Sequence, residues 1–210
     1  MTGRSKVPDS KVIGAALGVR SHSGWAAYVL LSGNPKAPDI LARGRMQLCD
    51  PSIAGSKQPF HEAEPMAFPL AQKFIARCTT SSAKLADEAL ADIAPQARVT
   101  ACCVLTASGR PLPDLKGILA SHSTIHAAEG EFYRDAIAHA CERAKIPVRR
   151  VRERDMEAET HSLPVSAADA KARLVEFGKR LGAPWTADEK LSALGAWLML
   201  ASLPSRRSGR

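Results

Sequence analysis

Three short apolar runs crowd into residues 12–48 with only turn formers between them, and that spacing leaves no room for a helix. Residues 12–19 are apolar and glycine-containing and predict a buried strand. GWAAYVLL at 24–31 predicts its neighbour, with 20–23 as the turn. SGNPKAPD at 32–39 is dense in turn residues, and ILARGRMQL at 40–48 alternates as a third strand should. Strands joined by so few residues can only run antiparallel, so the chain opens as a β-meander.

After residue 48 the pattern changes. Residues 50–65 are rich in Pro, Ser and Gly and predict a surface loop. Helical spacing follows over 65–93, with Phe74, Cys78, Leu85 and Leu90 turned inward and Pro95 ending it. RVTACCVLT at 98–106 is the most apolar strand candidate, which predicts a central position, and 107–113 reads as a loop. A helical turn is expected at 115–120. A helix is expected over 124–145, with Ser123 or Thr124 as its N-cap and Ile125, Phe132, Ala136, Ala140 and Ala144 along one face. PVRRVR at 147–152 is a short strand with its arginines outward. Ser166 opens a helix with the stripe Ala170, Leu174, Phe177, Leu181, stopped by Gly182 and Pro184. Thr186 caps the last helix, to 202, which carries Leu191, Leu194, Leu198 and Met199.

At 210 residues the chain can bury one sizeable core, so a single α/β domain is expected over 11–202, between a flexible leader at 1–10 and a basic tail at 203–210. Aromatics make up only 5%, so Ala, Leu, Ile and Val must build the core. No apolar stretch of about 18 residues exists and the first ten residues lack a secretory apolar segment, which points to the cytoplasm and no membrane. The cysteines are odd in number and form no C-x-x-C pair, so they read as reduced core residues. Twenty-nine Lys and Arg against 21 Asp and Glu give +8, which favours anionic partners, nucleic acid among them. Arg149, Arg150, Arg152 and Arg154 concentrate that charge, as do Arg206, Arg207 and Arg210. They read either as a phosphate-contacting surface or as a solvated strand edge and tail.

Three meandering strands, then helix, strand, helix, strand, helix, helix is the order of a ribonuclease H-like mixed sheet; a doubly wound sheet would alternate from the start. IGAALGVRSHSGWAAYVL at 13–30 resembles the first hairpin of the RuvC-like branch of that superfamily, and LGAPWTADEKLSALGAWLML at 181–200 resembles its last helix. The resemblance implies a nuclease pocket in which several carboxylates hold two divalent cations about 4 Å apart. This chain departs from it. Val19 and Arg20 stand where the first aspartate belongs, Thr106 and Ser108 end the apolar strand without an acid, and the best register of the last helix puts Lys190 at the acidic position. The metal-binding acids are therefore read as degenerate and Mg²⁺ as disfavoured, because Arg and Lys there repel it. The expectation is a nucleic-acid-binding or structural module. Arg20, His22, Arg134, Arg149 and Arg150 are its candidate anion contacts, and Arg20, His22 and Asp188 are expected to converge.

The densest polar segment is SHSTIHAAEGEFYRD at 121–135. His122, His126, Glu129 and Tyr133 share one helical face if all lie on one helix, and two imidazoles one turn apart beside a carboxylate suit a metal or acid–base site. His122, His126 and Glu129, with Asp188, form the candidate catalytic set of the alternative function, a hydrolase or transferase acting on an anionic substrate gripped by Arg20 and Arg134. No third ligand is identifiable, so the metal is unknown. The plain alternative is a helix N-terminus with His122 in the preceding loop, Glu129 on the helix dipole and Tyr133 half buried.

Overall fold

The computed structural model describes residues 14–107 and 111–203. The leader, the start of the first expected strand at 12–13, Ser108 and the arginines of the tail lie outside these residues. Five strands form one sheet in the order β3-β2-β1-β4-β5: β1 is Gly14–His22, β2 Trp25–Asn34, β3 Ala37–Gln47, β4 Arg98–Thr106 and β5 Val148–Arg152. β2 runs antiparallel to both β1 and β3, while β4 and β5 add in parallel beyond β1. This is the mixed α/β sheet, a three-strand meander extended by two further strands, that the order of apolar runs implies. The middle place belongs to β1, and the more apolar β4 lies beside it, paired on both edges.

Two layers of helices cover the sheet, sorted by strand alternation. Ala15, Leu17 and Val19 of β1 and Cys102 and Val104 of β4 pack against α2 (Phe68–Ile93) and α4 (His122–Arg143). Ala16 of β1 and Cys103 and Leu105 of β4 face α6 (Ala167–Leu181) and α7 (Ala187–Ser202). Cys102 and Cys103 thus take opposite faces, and the described cysteines are all free thiols. Burial pushes the Cys103 thiol up to about 12, which leaves it an inert core residue.

The contact between α7 and β1 is unusually close, for a local reason. A Cβ on Gly18 would lie 1.8 Å from the carbonyl oxygen of Ser192, and one on Gly195 would lie 3.0 Å from Cys103 Sγ. Two glycines facing one another let helix backbone approach strand backbone, and Ser192 Oγ then donates to Ala27 O at 3.3 Å. Thr186 caps α7 as expected: its Oγ1 accepts from Asp188 N at 3.2 Å, and Glu189 accepts from Thr186 N at 2.7 Å. The approach sets how far α7 reaches along β1, and the cap fixes where its first turn, with Asp188, begins.

Several expectations need correction. The opening turn is Ser23–Gly24 alone, so Arg20, Ser21 and His22 belong to β1, where Arg20 pairs with Ala27 and His22 with Trp25. The 50–65 loop contains α1 (Pro59–Ala63), and Met156–Glu159 forms a further short helix, α5, which periodicity cannot register at such lengths. In α2, Ala71, Cys78, Ser82, Ala86 and Leu90 face inward, while Phe74 and Leu85 are only half-buried. In α4 the first turn begins at His122 with Ser121 at the N-cap, and Tyr133 is fully buried with its hydroxyl donating to Ser56 O at 2.5 Å. Among the described residues no helix is long and apolar enough to cross a membrane.

Candidate functional site

Polar side chains gather in two places at the end of the sheet where β1 and β4 terminate, one on each face. The first is built on the α7 face. Arg20 and His22 point the same way as Ala16, and α7 brings its first turn over them. The Arg20 guanidinium forms a close ion pair with Asp188 and a second with Glu153 at 2.8 Å, while His22 Nε2 lies 2.9 Å from the same Asp188 oxygen. Burial pushes the Asp188 carboxyl up, but hydrogen bonds and charge from Arg20 and His22 outweigh it and hold the group below its ordinary value. Glu153, which no sequence motif singled out, arrives from a 3₁₀ turn (Glu153–Asp155) directly after β5. Lys190 is exposed, and the capping box begins the helix so that Asp188 meets β1.

His22 stacks on Trp25 with ring centroids 4.3 Å apart, and the Arg45 guanidinium lies 4.1 Å from the Trp25 ring centre. A row of three flat groups therefore covers the strand ends beside Arg20. Trp25 belongs to this row rather than to the core.

The second place is on the opposite face. Arg134 Nε donates to Leu105 O at 3.0 Å at the end of β4, so the earlier part of α4 overhangs the sheet. His126 and His122 lie roughly 12 and 18 Å further along the helix axis. Beneath this overhang α1 and α3 (Leu115–Leu119) form a small core of Phe60, Ile118, Ile125 and Ala128. His61 projects from α1 toward the two α4 histidines, and the ligand nitrogens of His61, His122 and His126 all lie within 4.8 Å of one another. The His122 and His126 Nε2 atoms are 3.0 Å apart.

Glu129 lies one turn below these histidines and is buried. One of its oxygens accepts from Phe60 N at 2.7 Å, from His61 N at 3.0 Å and from His61 Nδ1 at 3.2 Å. The N-cap residue of α1, Gln58, makes no side-chain cap, so a carboxylate from α4 satisfies the orphan donors of α1 instead. Burial pushes Glu129 up, and those hydrogen bonds only partly offset it. Glu129 thus supports His61 from below and does not face solvent beside His122 and His126.

The remaining candidates are placed as follows. Arg134 is buried and held by Leu105 O and by Glu131 at 3.0 Å. Arg149 pairs with Glu159 at 2.8 Å, and Arg150 with Asp135 at 2.5 Å and Glu131 at 3.4 Å, so the outward arginines of β5 are matched by acids along the sheet edge. No hydrogen bond or ion pair among the described residues joins the Arg20 cluster to the histidine cluster.

No protein-family model matches this chain, and no curated protein matches it by sequence. Among solved structures it is similar to "T. thermophilus RuvC in complex with Holliday junction substrate", with TM-score 0.47 and 11% identity over 90% of this chain and 93% of that one. A second similar structure is "Thermus thermophilus RuvC structure", with TM-score 0.48 and 10% identity over 90% and 93% of the two chains.

Proposed function

We propose that the chain is a RuvC-like module of ribonuclease H-like architecture that works without two-metal nuclease chemistry, as a nucleic-acid-binding or structural domain. The observation that carries this reading is Arg20. Two carboxylates, Asp188 and Glu153, reach the end of β1, where the resemblance implies a metal pocket, and the charge between them is a guanidinium. A fixed cation there repels Mg²⁺ and occupies the oxygens that Mg²⁺ would need. The net charge of +8 supports an anionic partner. The rival hydrolase or transferase finds less support, since Glu129 is buried beneath His61 and Arg134 is spent on Leu105 O and Glu131.

The test is binding of the full chain to branched, double-stranded and single-stranded DNA and RNA across a salt series, with cleavage assayed in Mg²⁺ and Mn²⁺. The expected result is binding whose log K falls linearly with log salt, and no cleavage. Metal-dependent cleavage overturns the nuclease-free reading. Absence of affinity at low salt overturns the nucleic-acid role and leaves only the structural one.

A further inference from the structure

We propose that His61, His122 and His126 form a site for a transition-metal dication, Zn²⁺ by preference, with Glu129 as the positioning residue behind His61. The three imidazoles come from two separate elements, α1 and α4, and converge with their ligand nitrogens within 4.8 Å of one another. A tetrahedral ion with Zn–N bonds of roughly 2.05 Å sets its ligand nitrogens about 3.3 Å apart. The His122 and His126 Nε2 atoms, at 3.0 Å, already stand near that separation. The distances to His61 are no more than 4.8 Å, and the exposed rings of His122 and His126 are free to rotate toward it.

Donor chemistry narrows the choice of ion. Three neutral nitrogens without a carboxylate oxygen are poor ligands for Mg²⁺ or Ca²⁺ and good ones for Zn²⁺, Cu²⁺ or Ni²⁺. Three protein ligands also leave a fourth tetrahedral position, open here toward solvent, where water or a ligand oxygen or nitrogen would bind.

The support behind the ligands is a second, independent observation. Metal-bound histidines characteristically donate their other ring nitrogen to a carboxylate, which fixes tautomer and ring orientation. His61 Nδ1 stands 3.2 Å from Glu129, so its Nε2 is the nitrogen left for the ion. The same carboxylate holds His61 N and Phe60 N, which fixes both the backbone and the ring of this ligand. Its second oxygen is buried with no partner among the described residues.

Zinc binding to the untagged, chelator-stripped full chain, measured by competition with a chromophoric chelator, tests the site. Visible absorption of the Co²⁺ form reports geometry. The expected result is one Zn²⁺ per chain, a Co²⁺ spectrum of low coordination number, and a thermal midpoint raised by Zn²⁺ but not by Mg²⁺. Glu129→Gln keeps the backbone acceptor and weakens binding about 10- to 100-fold. His126→Ala and His61→Ala weaken it further. His122→Ala and His126→Ala remove exposed side chains, so unchanged far-UV circular dichroism separates lost binding from lost folding. Failure to bind zinc stoichiometrically at micromolar concentration, or binding that survives His61→Ala and His126→Ala, overturns the proposal. Neither result bears on nucleic-acid affinity.

Discussion

The two clusters at the end of the sheet use similar residues to opposite effect. Around Arg20 the protein supplies both signs of charge, and one oxygen each of Asp188 and Glu153 meets the guanidinium of a residue from another element. Around His61 it supplies lone pairs from three rings and a carboxylate that only orients the His61 ring. One arrangement is electrostatically closed, the other open to a cation. The difference lies in where the acid sits. Asp188 stands at the front of its cluster among the groups it neutralises, whereas Glu129 stands behind its cluster among backbone donors.

The largest effect expected on this contrast comes from Gly18→Ala. The new Cβ meets the Ser192 backbone at 1.8 Å, so α7 must move off β1 and carry Asp188 with it. Denaturant unfolding should show a loss of about 3 kcal/mol, the upper range of overpacking, with the Arg20 cluster dispersed. A wild-type midpoint would break the claim that glycine contact positions this site.

Arg20→Leu should cost less, about 2 kcal/mol. It leaves Asp188 and Glu153 facing one another without their cation, but both remain partly hydrated. Arg20→Asp sharpens the same point: it should gain thermal stability from added Mg²⁺, which the wild type should not.

The smallest effect is the pH dependence of Asp188. Its carboxyl is held below the ordinary value of 3.8, so its contribution is present above that value and lost as pH falls through the lower folded value. Asp188→Asn should cost about 1 kcal/mol at neutral pH and progressively less below pH 4. A cost that stays constant down to pH 2.5 would contradict the ion-pair account.

Much of the fold was legible because it rests on strong periodicity. The strand at 98–106 matches β4 residue for residue, and Thr186 and Ser166 cap the helices predicted for them. The meander followed from loop lengths alone. The sites were less legible, since each joins residues from distant parts of the chain. His122 and His126 advertise themselves by spacing, but His61 is 61 positions upstream of His122 in a loop that periodicity left blank. Its one local cue is Pro59, a helix-starting residue in that loop. Glu153 gave no cue at all, because a three-residue 3₁₀ turn has no pattern to read. That Asp188 is the last-helix residue meeting β1 follows from the cap, which decides where the helix begins, and not from the apolar register.

The debt of α1 to Glu129 has a kinetic side. A five-residue helix with no cap of its own cannot persist until a carboxylate 68 and 69 positions downstream arrives to hold its first amides. His61 should therefore hold its place only while α4 is docked. The amides of Phe60 and His61 should report its undocking by exchanging with solvent long before those of β1 and β4.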